Sequence, residues 1–151
     1  MNSAPLSTDQ VAVLEILARA MIPPDARDQG VAGLNVGEAV ARKIQGDPNH
    51  ADYLDGLRIA AAMAQENFKT PIVDIDARLL TGLLESLRQS SPGLFKLLRT
   101  EACAVYLSQA STWKRIGFPG PSIETGGYPE FDQAPRPEPN VRARFCWRCL
   151  A

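Results

Sequence analysis

Apolar residues recur along the first part of the chain with the spacing of an amphipathic helix. In the run 13–21 they follow one another at intervals of three and four, which places their side chains on one face of an α-helix. Ser7, followed three residues later by Gln10, is the pattern of a capping box at a helix start. Pro23-Pro24 ends the segment, because a residue that precedes proline disfavours the α conformation. The pattern predicts a first helix between Ser7 and these prolines.

Four later segments repeat the helical spacing, and each follows a residue typical of a helix N-cap. We expect these helices to begin after Asn35, at Asp47-Pro48, at Asp74 or Asp76, and at Ser91-Pro92. No segment alternates between apolar and polar residues for long enough to predict a strand. The sequence therefore predicts an all-α, bundle-like domain of about five helices over residues 1–116.

The fourth predicted helix carries a leucine stripe that should face the core. Its inward residues are expected to be Leu79, Leu80, Leu83, Leu84 and Leu87. Gly56 and Gly82 lie inside predicted helices, where glycine costs roughly 1 kcal/mol relative to alanine. We expect close helix–helix approach to compensate at both glycines.

Composition and charge exclude several classes of protein. The chain has 151 residues and a net charge of −1, whereas a nucleic-acid binder usually shows a basic excess. No apolar run approaches the roughly 18–20 residues of a membrane span. The N-terminal residues lack a basic cluster and an apolar stretch, so no secretory signal is visible. We expect a cytoplasmic protein, with export to the periplasm alongside a partner as the alternative.

The residues that carry catalytic or metal chemistry elsewhere are few in this chain. His50 is the one histidine, and we expect it at the surface in the first turn of the third helix; an enzyme with His50 as a solitary base is a remote alternative. Cys103 is expected as a small buried residue on the fifth helix. We predict no catalytic, cofactor-binding or metal-binding residue in this chain.

Cys146 and Cys149 form a C-x-x-C pattern near the C-terminus. A redox dithiol or half of a metal site would use such a pair. The rest of the sequence supports neither kind of site, because there is no second C-x-x-C and no nearby histidine. We favour a local disulfide or two idle thiols. The alternative function is a small redox or metal-handling protein built on this pair.

Residues 117–151 differ in composition and predict an extended C-terminal arm. Six of the twelve prolines lie between Pro119 and Pro139, and a segment so short of amide donors cannot run through helices. Aromatic residues alternate with turn formers, as in interfaces with a few buried aromatic anchors. The arm could instead fold back on its own helices or be a disordered tail. The predicted partner-binding residues are Trp113, Phe118, Pro119, Gly120, Pro121, Gly126, Gly127, Tyr128, Pro129 and Phe131.

Five segments, taken in order, resemble the gluconate 2-dehydrogenase subunit 3 family. The resemblance covers most of residues 10–130, and its specificity comes from the order and spacing of the segments. They are Met21–Asp25 with Gly30–Ala32 after it, Tyr53–Leu57, Phe95–Thr100, Trp113–Pro121 and Gly126–Pro129.

The resemblance implies a non-catalytic helical small subunit of a membrane-associated, flavin-dependent sugar dehydrogenase. In such complexes the large subunit resembles glucose-methanol-choline (GMC) oxidoreductases and holds FAD, often with an iron–sulfur cluster. A multihaem cytochrome c is frequently the third partner. The small subunit is thought to help the large one mature, stay soluble and reach the periplasm. Family members commonly carry a twin-arginine signal, which is not seen before the first helix here. No role is carried onto Cys146 and Cys149, which lie beyond the resemblance.

Overall fold

The computed structural model describes residues 5–121, which fold into α-helices joined by loops, with no β-strand among them. This confirms the all-α prediction. The described residues hold six helices where about five were predicted, and the additional one contains Trp113. The helices are α1 (Thr8–Met21), α2 (Val36–Gly46), α3 (His50–Phe68), α4 (Ala77–Ser90), α5 (Pro92–Leu107) and α6 (Ala110–Ile116), with a 3-10 turn at Ile72–Asp74.

Two of the predicted helix starts are made by the side chains that the sequence indicated. At α1, the Gln10 backbone N–H donates to Ser7 Oγ over 3.2 Å, and the Ser7 N–H donates to Gln10 Oε1 over 2.8 Å. At α4, Asp76 Oδ1 accepts from the Arg78 N–H at 2.8 Å. Both caps satisfy backbone donors that have no partner inside the helix.

The predicted start of α3 at Asp47 is wrong by a few residues. The helix begins at His50 with Asn49 as its N-cap. Asp47 Oδ1 accepts from the backbone N–H of Asn49 at 2.8 Å and from its side-chain amide at 2.9 Å. An aspartate that bonds two residues ahead forms an Asx turn, and this turn takes up Asp47 and Pro48 before the helix starts.

Helix α5 packs against each of the other five helices and forms the centre of the core. Its residues Leu94, Leu98 and Ala102 are fully buried and lie one helical turn apart. From α4, four of the five predicted leucines are buried, but Leu79 is 46% exposed. The prediction for Leu79 is wrong because this residue falls at the edge of the stripe made by the other four.

The two glycines for which close helix packing was predicted, Gly56 and Gly82, behave differently. A Cβ added to Gly56 would lie 2.9 Å from Leu94 Cδ2 and 3.1 Å from Leu94 Cβ, so α3 and α5 approach closely there, as predicted. A Cβ added to Gly82 would meet nothing within 4 Å. The prediction for Gly82 is wrong because it lies on the exposed side of α4.

The start of α2 is capped by another helix. Asn35 is the predicted N-cap residue, but it has a left-handed backbone and its side chain makes no capping hydrogen bond. Instead, the Gly37 backbone N–H donates to Glu15 Oε2 of α1 over 2.7 Å. A Cβ on Gly37 would fall 2.6 Å from the Val11 carbonyl oxygen. Glycine at position 37 thus permits the close packing that brings the carboxylate to the helix start.

The chain divides into two units, Met1–Phe118 and Pro119–Ala151. The first holds all six helices just described, and of the second only residues 119–121 belong to the described part. Within the described residues no helix has the length and apolar character needed to cross a membrane. That residues 117–151 act as a partner-binding arm stays a prediction.

Candidate functional site

Helix α6 places the first two predicted partner-binding residues next to each other. The helix ends at Ile116, and Gly117 follows with φ of 73°, a left-handed conformation that suits glycine. The Phe118 backbone N–H then donates to the Trp113 carbonyl oxygen over 2.9 Å. The rings of Trp113 and Phe118 meet edge to face, with centroids 5.7 Å apart and planes at 79°. The turn after α6 therefore holds the two aromatics as a pair.

Large apolar side chains are exposed in this pair and in nearby residues of the chain. Leu107 at the end of α5 is 51% exposed, Ile116 is 57% exposed, and Phe118 is 40% exposed. The Trp113 indole N–H donates to the Leu107 carbonyl oxygen, which links the end of α5 to the middle of α6. We call Leu107, Trp113, Ile116 and Phe118 the α6 apolar surface. Sequence reasoning included Trp113 and Phe118 but missed Leu107 and Ile116, which look like core residues in a helical pattern.

The other predicted partner-binding residues belong to the second unit of the chain. Pro119, Gly120 and Pro121 begin the second unit, and Gly120 has φ of 99°, a conformation that favours glycine. The remaining residues lie outside the described part of the chain, and their roles stay predictions. They are Gly126, Gly127, Tyr128, Pro129, Phe131, Cys146 and Cys149.

A group of polar residues that sequence reasoning did not find lies beside α6. The Tyr106 hydroxyl of α5 donates to Asp28 Oδ2 over 2.6 Å. Arg115 of α6 forms an ion pair with the same oxygen over 2.8 Å and donates to the Tyr106 hydroxyl, and its guanidinium carbon lies 5.7 Å from the centre of the Tyr106 ring. We call Asp28, Tyr106 and Arg115 the polar clamp, because they connect the loop after α1 to the last two helices.

The loop after α1 positions Asp28 through its own hydrogen bonds. Asp25 Oδ1 accepts from the N–H groups of Arg27 and Asp28 at 2.7 and 3.0 Å, and the Gly30 N–H donates to Asp28 Oδ1 over 2.7 Å. Gly30 has φ of 57°, and a Cβ there would lie 2.7 Å from the Pro23 carbonyl oxygen. The loop therefore requires glycine at this position, and its tight conformation directs Asp28 toward α5.

Hydrogen bonding shifts the titration of both acidic groups in the polar clamp. The bond from the Tyr106 hydroxyl, followed by the bond from the Gly30 N–H, lowers the pKa of Asp28. The bond to Asp28 is also the main reason that the pKa of Tyr106 is raised. Asp28 is thus held ionised and Tyr106 protonated. This arrangement suits a structural contact, since a general base would have to accept a proton near neutral pH.

A cavity of about 740 Å³ lies along the polar clamp. Its walls come from the loop after α1, the end of α5 and α6. The clamp residues contribute to these walls together with Arg27 and Lys114, both of which are exposed. Among the described residues of this lining, cationic side chains outnumber carboxylates.

His50 and Cys103 lie apart from both features. His50 Nδ1 is 3.1 Å from the Ile44 carbonyl oxygen, and the side chain is half-buried. Because a carbonyl only accepts, Nδ1 carries the proton in this contact, and His50 links the end of α2 to the start of α3. Cys103 is exposed, so the expectation of a buried cysteine is wrong. It lies on the rim of an apolar groove, beside the buried Ala102.

Metal ligands do not cluster in the part of the chain that the structure covers. Among residues 5–121, no group of three or more His, Cys, Asp or Glu side chains is arranged to hold a metal ion. The possible disulfide or metal role of Cys146 and Cys149 concerns residues outside this range and stays a prediction.

Comparison with known protein families identifies a match. The family model described as gluconate 2-dehydrogenase subunit 3 matches residues 8–120. The match begins at the first residue of α1 and includes the polar clamp and the α6 apolar surface. No curated protein and no solved structure matches the chain.

Proposed function

Because the chain belongs to the gluconate 2-dehydrogenase subunit 3 family, we propose that it is the small, non-catalytic subunit of a flavin-dependent sugar dehydrogenase complex. Its partner is a large subunit of the GMC oxidoreductase type, which holds the FAD and oxidises the sugar. A cytochrome c subunit accepts the electrons. In this proposal the present chain supplies a binding surface and contributes no group to the reaction.

The observation that carries the proposal is the α6 apolar surface. Leu107, Ile116 and Phe118 leave large apolar side chains in water within one short segment, and such exposed groups favour burial against another protein. The neighbouring Trp113 fits an interface anchor, because buried aromatic residues carry much of the binding energy in protein complexes. The segment lies inside the matched family region.

A second part of the proposal is that the chain acts as a chaperone for the large subunit. The α6 apolar surface would cover complementary apolar groups on the large subunit while that subunit takes up its flavin. Each protein alone would then expose surface that the complex buries. We expect both to be less soluble when expressed separately.

Affinity purification of the full chain from its native cells tests the proposal. We expect a flavoprotein larger than this chain to co-purify and to show bound-flavin absorbance. The variant Ile116→Asp should lose most of the flavoprotein, since it places a charge on the α6 apolar surface. Leu79→Asp is the matched control, because Leu79 is a similarly exposed leucine on α4.

Two results would count against the proposal. One is a wild-type chain that retains no flavoprotein. The other is an equal loss of the flavoprotein in both variants, which would show that the position of the charge is irrelevant. Circular dichroism of both variants verifies that the helices remain folded.

A further inference from the structure

The cavity beside the polar clamp is lined by an excess of cationic side chains among the described residues. Of the described residues in its lining, Arg27, Lys114 and Arg115 are cationic, and Asp28 is the one carboxylate. The whole chain, in contrast, has a net charge of −1. The positive charge is therefore a local feature of this cavity.

The carboxylate of Asp28 is already engaged by the protein. Its Oδ2 accepts from the Tyr106 hydroxyl and pairs with Arg115, while Oδ1 accepts from the Gly30 N–H. Within residues 5–121, neither Arg27 nor Lys114 has a carboxylate within ion-pair distance. Arg27 and Lys114 thus form no salt bridge in the described part of the chain, although the charge of Arg27 contributes to the lowered pKa of Asp25.

Arg115 is held in place before any ligand arrives. Its Nη2 group contacts Asp28 and Tyr106, and its guanidinium lies near the Tyr106 ring. Its Nε and Nη1 groups make no hydrogen bond to the described residues. A guanidinium with free donors and a fixed position is well suited to bind an oxyanion, because less side-chain entropy is lost on binding.

We propose that this cavity is a binding site for a ligand that carries anionic oxygens, with Arg27, Lys114 and Arg115 as its charged contacts. Two sources share this chemistry: a small free acid, and an acidic side chain of a partner protein. The polar lining and the mixture of cations and hydroxyl groups, including Ser111 and Thr112, suit either source. The inference goes beyond the proposed function, since a free acid requires no partner.

The first arm of the test uses the full chain alone with citrate and inorganic phosphate as probes. Calorimetric titration is carried out at constant ionic strength, because salt screens exposed charges. If a small acid is the ligand, the variant Arg27→Gln/Lys114→Gln should bind the probe about tenfold or more weakly than wild type. Arg115 is left unchanged because it also maintains the polar clamp.

The matched control for this arm is Arg78→Gln/Lys96→Gln. It removes one arginine and one lysine that are exposed on α4 and α5 and do not line the cavity. The control should bind the probes as wild type does. Unfolding temperatures of both variants verify that the comparison concerns folded protein.

The second arm measures retention of co-purifying protein by the same variants in a series of increasing salt concentrations. Loss at lower salt for the cavity variant, with an unchanged control, supports a partner's acidic side chain as the ligand. Equal behaviour of the two variants in both arms overturns the inference. If the wild-type chain retains no partner, the calorimetric titration of the first arm alone tests the inference. The inference and the proposed function can therefore fail separately.

Discussion

The helical core and the polar clamp hold the molecule together in different ways. In the core, α5 buries Leu94, Leu98 and Ala102 completely, and these residues are four apart in the sequence. In the polar clamp, Asp28 and Tyr106 are 78 residues apart, and the Asp28 and Arg115 side chains remain 27% and 33% exposed. The core removes apolar area from water, whereas the clamp mainly fixes where one loop lies against two helices.

The largest expected effect is the loss of a core leucine. Leu98→Ala should lower the free energy of unfolding by about 2–5 kcal/mol, because it leaves a cavity at the centre of the helices. Leu79→Ala removes the same atoms from an exposed site and should cost no more than about 0.5 kcal/mol. Chemical denaturation of the two variants measures the difference. Similar losses would show that the core is not organised around α5.

The next prediction compares Gly56 and Gly82, where substitution by alanine should change the free energy of unfolding in opposite directions. Gly56→Ala should destabilise the protein by about 1–3 kcal/mol, since the new methyl group would press on Leu94. Gly82→Ala should stabilise it by about 0.5–1 kcal/mol, because alanine favours the helix and the site is open. The same unfolding measurement serves for both. A stabilising Gly56→Ala would contradict the close contact of α3 and α5.

A smaller effect is expected from the polar clamp. Tyr106→Phe removes the hydroxyl that bonds to Asp28 and accepts from Arg115, and should lower the unfolding temperature by about 2–4 °C. Tyr53→Phe is the control, because the Tyr53 hydroxyl lies 3.5 Å from Asp47 Oδ2, the limit of a hydrogen bond. Its unfolding temperature should change less. Thermal unfolding at neutral pH compares the two.

The pH dependence of the Tyr106→Phe effect tests its cause. Because the pKa of Asp28 is lowered by the Tyr106 hydroxyl, its contribution to stability is present above about pH 4 and is lost as the pH falls through the folded-state pKa. Because the pKa of Tyr106 is raised, its contribution is present below about pH 10 and is lost as the pH rises through the folded-state pKa. The difference in unfolding temperature between wild type and Tyr106→Phe should therefore become smaller at both low and high pH. A difference that stays constant would assign the effect to packing.

The contrast between the local contacts of the core and the long-range contacts of the polar clamp explains which features could be predicted from the sequence. Local signals gave the capping box of Ser7 and Gln10, the Asp76 cap and the buried leucines of α4, because each depends on neighbours within about one turn. The predicted start of α3 is misplaced because aspartate is favoured both as a helix N-cap and in an Asx turn, and Asp47 forms the turn. Exposure was misjudged for Leu79 and Cys103, which lie at the edges of their helical stripes.

The polar clamp has no local signal of this kind. Asp28, Tyr106 and Arg115 each look like an ordinary surface residue, and only the folded chain shows that they meet. The α6 apolar surface was found in part, because Trp113 and Phe118 are unusual in a segment rich in turn formers. Leu107 and Ile116 were not, since helical periodicity alone does not show which side of a short helix is covered.

The capping of α2 by Glu15 has a consequence for the order in which the helices form. An isolated segment of eleven residues is too short to be a stable helix in water, and this one also lacks a capping side chain of its own. Its first turn gains the missing acceptor only when the carboxylate of α1 reaches the Gly37 N–H. We therefore expect α2 to become stable only after α1 has formed. In that case α1 assists the folding of α2 as well as packing against it in the native structure.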